Sequence, residues 1–413
     1  NWAENVTYKH ETLASPVDVT ELQEVVAGAA AVRPVGSAHS FNLLSDTGEG
    51  AGTTLLSVAC MTNVLDLNVD EMTVDIEAGV TYGRLCAYLQ ARGAALANLP
   101  SLPQPTVVGA VATGTHGTGL GLGAMGTQVR EMDVVLGDGS VRTFTRGDPD
   151  FDVAVVHMGA LGVVSRLRLD IEPTYDIAQR YYTNVPVDEF ISGVDRWMVS
   201  CRSPSAFVNF GKGTADLWTR DLLPDDDDDA RQAVLAKAEE PPEFGGQLQD
   251  PAHPGVPFFD YWGIVFVCHA TVAVFSKNGR DTPMPNCAIH TEYFVPVSHA
   301  QVSWDESTLD PATAVGPLCS EIRVMAGDNF ALSPSRGEAH LSIHFTLPRA
   351  TGNALALVQI KELEAALEPF SARPHWGKLF TTPAAKLKEL YGTGMDDFLQ
   401  LRSSVDPTDK FLN

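Results

Sequence analysis

Cations are scarce in this chain: 28 lysines and arginines stand against 52 aspartates and glutamates, a formal net charge of −24. A surface of that sign repels phosphate backbones and anionic membranes, which argues against a nucleic-acid or membrane partner. It also leaves any anionic ligand to be held by local dipoles and backbone donors. No run of about 18 apolar residues occurs, so no helix is expected to span a bilayer. The first residues, NWAENVTYKH, lack the basic-then-apolar order of a secretory leader. Cysteine is thinly spread: Cys60, Cys86, Cys201, Cys268, Cys287 and Cys319 form no CxxC pair. Neither a disulfide framework nor a zinc site is expected from that spacing; reduced thiols in a cytoplasmic protein are. No metal site is expected elsewhere, and the acidic run Asp225 to Asp229 reads as a solvated surface loop. Internal repeats are absent.

What remains is a soluble-type composition in 413 residues, too many for one ordinary core, so two domains are expected. The first 170 residues alternate helical and strand signals. Asp18 or Thr20 can cap a helix with Leu22, Val25, Val26 and Ala29 on its apolar face. Strand-like runs follow at 54–58, 64–67 and 73–77, then a helix over 82–91 with Leu85 and Leu89 one turn apart. Gly137-Asp138-Gly139 joins two strands in a hairpin signal, and 163–171 alternates apolar residues with Arg166, Arg168 and Asp170. Residues 220–260, rich in Asp, Pro and Gly, read as an extended insertion. Strands are expected at 264–267, 291–295, 321–324 and 340–347, and a helix over 353–367 closed by Pro369.

Three stretches carry chemistry. Arg33-Pro34-Val35-Gly36-Ser37-Ala38-His39-Ser40 is a small-residue turn whose clustered N–H groups suit a pyrophosphate, with a histidine at its tip. From Pro100 to Gly119, small residues dominate, and Gly, Ser and Thr bring backbone donors and hydroxyls close to a ligand. Gly121 to Gly126 matches GxGxxG but follows more glycine-rich loop instead of a strand, so it is no dinucleotide fingerprint. In the third set, Glu321 and Arg323 share one face of a strand, and His340, Ser342, His344 and Thr346 share one face of another. Two such faces can line a hydrophilic pocket; a solvent-exposed sheet gives the same pattern. Pro374-His375-Trp376-Gly377-Lys378 adds another concentration of polar and aromatic groups.

Together, VGSAHSFN (35–42), SLPQPTVVGAVATGTHGTG (101–119), GALGVVS (159–165), EIR (321–323), HFT (344–346), PHWGK (374–378) and DPTDKFLN (406–413) resemble the vanillyl-alcohol-oxidase type of FAD enzymes. Within it they are most similar to the alditol-oxidase and sugar-lactone-oxidase branch. The resemblance implies an α+β, two-domain fold of the PCMH type. Residues 1–173 would bind FAD, 174–378 would form a sheet-based cap for substrate, and 379–413 would return to the FAD domain. His39 stands where the family attaches FAD covalently through a histidyl bond. Pro34, Val35, Gly36, Ser37, Ala38, Ser40, Ser101, Thr106, Gly109, Thr113, Gly114, Thr115, His116, Val163 and His375 match its other FAD-contacting positions. Ser101, Glu321, Arg323, Thr346 and Lys378 match those that hold polyol hydroxyls. The segment from about 200 to 290 departs from the family pattern, which leaves substrate size open.

The expected activity is oxidation of a small polyol at a primary hydroxyl, with hydride passing to FAD and electrons on to O2 to give hydrogen peroxide. Arg323 and Lys378 supply cations for developing negative charge, Glu321 accepts hydrogen bonds from substrate hydroxyls, and His344 is the candidate proton acceptor, a structural histidine being the competing reading. A monomer acting on a small molecule in the cytoplasm is expected. A sugar-1,4-lactone oxidase and a flavin dehydrogenase with another acceptor share these motifs.

Overall fold

The computed structural model describes residues 1–209, 212–236, 245–249, 288–300, 319–348 and 352–412. The expected strand at 264–267 lies outside them.

The N-terminal third is built on two sheets. Ala31–Val35 and Thr12–Ala14 flank Thr53–Ser57 in a parallel three-stranded sheet. The helix Val19–Gly28 packs beside it, capped by the Asp18 carboxylate, which accepts from the Glu21 N–H at 2.9 Å and satisfies one of the first-turn donors. Leu22 and Val26 of that helix are fully buried with Val32, Leu56, Val135, Val163 and Phe411. The second sheet is antiparallel, in the order Val64–Asn68, Thr73–Glu77, Val163–Asp170, Val129–Val135, Val141–Thr145. Its Val163–Asp170 strand keeps the alternation of the sequence: Ser165, Leu167 and Leu169 are buried. On the other side Arg166 and Arg168 meet Asp75, Glu131 and Asp133 in a half-buried ionic ladder.

After residue 173 the chain enters a different sheet, antiparallel throughout. Its order is Gln247–Gln249, Asp176–Pro186, Thr214–Leu223, Ser205–Asn209, Cys319–Met325, His340–Pro348, Ala288–Pro296, Arg373–Pro374. One face of the sheet packs on the helix Gly352–Leu367 through Ala356, Ile360, Leu363 and Leu367. The other face turns toward the N-terminal third, and the functional cavity lies between them. The C-terminal helices Ala384–Tyr391 and Thr393–Val405 pack back on the N-terminal core through Tyr391, Phe398, Leu401 and Val405. Beyond them Lys410 Nζ donates to the carbonyls of Val26, Ala27 and Gly137, and Phe411 is wholly buried. No helix among the described residues is long and apolar enough to cross a membrane.

Two expectations need correction. The acidic run is not simply a loop: Asp228–Ala236 is helical, with Asp228 and Asp229 in its first turn and Asp227 Oδ1 accepting from the Ala230 N–H at 2.9 Å. Negative charge at a helix N-terminus is stabilising, which explains why acidic residues begin an element there. Within the glycine-rich stretch, Val107–Ala112 is also a short helix, capped by Thr106.

Candidate active site

The loops at 34–40 and 101–109 form one wall of a cavity of about 1440 Å³, counting its open mouth. They touch at Gly36, where a Cβ would lie 2.2 Å from Thr106 Oγ1, so no larger residue fits without displacing one loop. Ser37 Oγ accepts from the Thr106 N–H at 3.2 Å and fixes the same approach. At the tip, Ala38 holds φ 56°, the left-handed region that costs a non-glycine residue on the order of 1 kcal/mol. This bend presents His39 to the cavity. Its Nδ1 lies 3.0 Å from Ser37 Oγ and 3.1 Å from Ser37 O, and Trp2 stacks on its ring at 5.0 Å. Burial pushes the His39 pKa down to about 4, so at neutral pH the imidazole is in its nucleophilic, uncharged form.

The opposite wall is the sheet. Register sets Glu292, His344 and Glu321 directly abreast on three neighbouring strands, Ala288–Pro296, His340–Pro348 and Cys319–Met325. Two residues along, Ser342 stands opposite Arg323. Residues in register on one face lie about 5 Å apart, close enough for their side chains to interact. All five are buried, so the period-two polar pattern marks a pocket and not a wetted sheet face. His290, on the same face as Glu292, is buried as well and packs edge-on to His344 at 4.6 Å.

Two further segments complete the site. The glycine-rich loop is stitched to the Glu321 strand by Gly119 N donating to Val324 O at 2.7 Å, which brings His116 against the sheet. The 374–378 segment runs along the outer edge of the Glu292 strand, with His375 N donating to Glu292 O and Leu379 N to His290 O. Asn42 Nδ2 clamps the carbonyls of Trp376 and Lys378 at 2.7 and 2.9 Å, tying that segment to the His39 loop. Lys378 is thereby aimed into the cavity.

The electrostatic centre of this arrangement is Glu292, which the sequence reading did not single out. It accepts from Lys378 Nζ at 2.5 Å, Arg323 Nη2 at 3.0 Å and Ser342 Oγ, and His116 Nε2 lies 3.1 Å from the same Oε1 that Arg323 and Ser342 meet. Burial alone would raise its pKa; the attraction of Lys378, His116 and Arg323 outweighs that and holds Glu292 well below the usual carboxylate range. Glu321 behaves in the opposite way, its pKa raised mainly by burial. His344 is driven well below 6.5 by burial and by Lys378, and is therefore neutral.

Of the residues singled out in the sequence, nearly all converge on the cavity: Pro34 to Ser40, Ser101, Thr106, Gly109, Thr113, Thr115, His116, Val163, Glu321, Arg323, His344, His375 and Lys378 line it. Gly114 and Thr346 are not among the lining residues. Gly114, at φ +66°, turns its α-carbon against Pro334, and Thr346 sits two residues beyond His344 opposite His290.

The residues present fit an FAD group. Among the cavity-lining residues, His39 Nε2, His157 Nε2 and His344 Nε2 are buried without a hydrogen-bond partner, and Glu321 Oε1 and Arg323 Nε have only each other, as an ion pair at 3.4 Å. Such atoms cost roughly 1–3 kcal/mol each unless a ligand or water satisfies them. His157 Nδ1 accepts from the Gly159 N–H at 3.0 Å, so its proton sits on Nε2, which can donate to a cofactor oxygen.

Comparison with known proteins agrees with this geometry. A model described as an FAD binding domain matches residues 11–145, and one for D-arabinono-1,4-lactone oxidase matches residues 298–413. Over 422 aligned residues the chain is 34% identical to an alditol oxidase from a Streptomyces species, covering 100% of this chain and 96% of that one. It is 24% identical to L-gulonolactone oxidase of Mus musculus and to L-gulono-1,4-lactone dehydrogenase of Mycobacterium tuberculosis, each covering 100% of this chain and 96% of the relative. The chain belongs to the vanillyl-alcohol-oxidase family of FAD-dependent oxidoreductases.

Proposed function

We propose that the chain is an alditol oxidase, taking a xylitol- or sorbitol-like polyol and oxidising a primary hydroxyl to the aldehyde. The observation that carries this reading is the buried polar face itself: Glu321, Arg323, His344 and Lys378 line the cavity together, and His344 Nε2 is left without a hydrogen-bond partner. A flexible polyol presents several neighbouring hydroxyls, each both donor and acceptor, and that is the ligand chemistry such a set can satisfy. The 34–40 and 101–116 loops would hold FAD, with His39 as its point of attachment, and the bound group would supply the hydride acceptor and the route for electrons to O2 as hydrogen peroxide.

The protein's part is binding, orientation and proton handling. Glu321 Oε1 accepts from a substrate hydroxyl, while Arg323 and Lys378 donate to the oxygen that gains negative charge as its carbon loses hydride. His344 Nε2 takes the hydroxyl proton: His344 Nδ1 faces Glu321 Oε2 at 3.7 Å, leaving Nε2 as the open acceptor. The C–H bonding pair leaves as hydride, the O–H proton moves to His344, and the carbonyl forms. The free thiols of Cys60 and Cys201 are in keeping with a cytoplasmic setting.

This assignment fixes a pH dependence. A general base works only when deprotonated, and His344 is held well below 6.5 by burial and Lys378. The acid limb of kcat/KM is therefore expected below pH 6.5, with activity sustained from neutrality down to that limb. A limb at or above 6.5 assigns the proton to another group.

A second reading, oxidation of a sugar-1,4-lactone, draws support from the lactone-oxidase model over residues 298–413. Peroxide release in air from xylitol, sorbitol, glycerol and L-gulono-1,4-lactone separates the two. Rapid peroxide from the polyols and little from the lactone is the expected result; the reverse moves the chain to the lactone branch. Flavin bleaching without peroxide points to a dehydrogenase.

A further inference from the structure

We infer that Glu292 is the positioning residue of the site: its carboxylate pins the Lys378 ammonium and the Arg323 guanidinium where they meet the substrate and supplies the counter-charge that keeps Lys378 a cation. The inference rests on the proposed roles of Lys378 and Arg323.

The two carboxylates on this wall have different surroundings. Glu292 meets polar groups from four separate segments: Lys378 at Oε2, and Arg323, His116 and Ser342 at Oε1. Both of its oxygens are thereby committed to a cation of the site. Glu321 accepts no hydrogen bond at Oε1 and meets only Arg323 Nε there, at 3.4 Å. Glu292 holds both cations by hydrogen bonds, and Glu321 keeps acceptor capacity for the ligand.

Lys378 is the residue most dependent on this arrangement. An ammonium in a buried site is strongly disfavoured unless paired and hydrogen-bonded. Burial lowers the Lys378 pKa, and Glu292 is the strongest influence opposing that fall; Arg323 pushes it further down and Glu321 up. His290, on the same strand as Glu292, lines the cavity with His344, His116 and His375 and brings no second anion. Without Glu292 the two cations would share Glu321 alone, which already pairs with Arg323 Nε at 3.4 Å. The ammonium exists below its pKa and is lost as pH rises through it, so neutralising Glu292 must bring that loss to lower pH.

The test is the pH profile of the FAD-loaded enzyme. Glu292→Gln is expected to lower kcat/KM at neutral pH by at least about tenfold and to move the alkaline limb down by about one unit or more. Glu292→Asp, which keeps the charge with a shorter reach, is expected to fall between. A role in folding alone would reduce cofactor content or thermal stability and leave the limb in place, and that result overturns the inference. A substrate-free measurement runs beside it: NMR titration of lysine labelled with 13C at Cε, with the Lys378 signal identified by its loss in Lys378→Met. Its midpoint is expected to fall in Glu292→Gln; an unmoved midpoint also overturns the inference. Should the Gln variant not fold, the same comparison between native enzyme and Glu292→Asp decides. Because the titration needs no substrate, it is readable even if every polyol is refused, a result that would remove the alditol reading alone.

Discussion

His39→Ala is expected to yield a protein whose flavin is released on denaturation, whereas the native chain is expected to keep flavin through denaturing gel electrophoresis and to fluoresce in the band. The effect is all-or-none because a bond is at stake instead of an affinity. The site is prepared for that bond: the imidazole is neutral, with its pKa near 4, and its ring is held between Ser37 and Trp2 at the tip of a bend fixed by Ala38. Alanine removes the nucleophile and leaves the cradle of Gly36, Thr106 and Gly109 intact, so the variant should still take up FAD and elute with it. Flavin that stays attached to the denatured variant would place the anchor on another residue.

Lys378→Met carries the second large effect, a fall in turnover of at least about tenfold, the scale of one lost charge-assisted hydrogen bond. Methionine keeps most of the volume and removes the ammonium, so the loss is mainly one of charge. The cost is electrostatic on two counts. The substrate oxygen loses a donor as its charge develops, and Glu292 loses the ammonium 2.5 Å from its Oε2, at a position where it is 1% exposed. Breaking a buried pair by deleting one partner typically costs about 3–5 kcal/mol of stability. A lowered melting temperature is therefore expected as well, and kcat must be normalised to bound flavin. Near-native turnover per flavin would remove Lys378 from the chemistry.

Much of the cofactor half could be read from the chain alone, because its loops are local. The Gly36 and Gly109 segments declare themselves through small residues, and Asp18 and the 163–171 alternation mark their elements at short range. The sheet order could not be read, since it depends on pairing between distant strands such as Ser205–Asn209 with Cys319–Met325. Glu292 was missed for a related reason. In His290-Thr291-Glu292-Tyr293-Phe294-Val295 a single carboxylate sits among apolar and aromatic neighbours, and nothing local says what it pairs with. One signal was available: a strand this apolar is buried, and a buried carboxylate requires cations, which Arg323 and Lys378 provide. The two unforeseen helices failed on composition. Val107–Ala112 contains glycine and valine, weak helix formers, and Asp228–Ala236 begins in a run that resembles a solvated loop.

The clasp made by the last described residues bears on how the protein is made. Phe411 fills the core around Leu22 and Val163, its carbonyl accepts from Arg33, and Lys410 bridges the carbonyls of Val26 and Gly137. The core that forms first in sequence is thus completed by residues that leave the ribosome after the whole cap sheet. Domains usually fold as units during synthesis, N-terminal part first. The core to which cavity-lining Val163 belongs is therefore expected to close only once Lys410 and Phe411 are made, and chains truncated before them are expected to hold flavin less firmly.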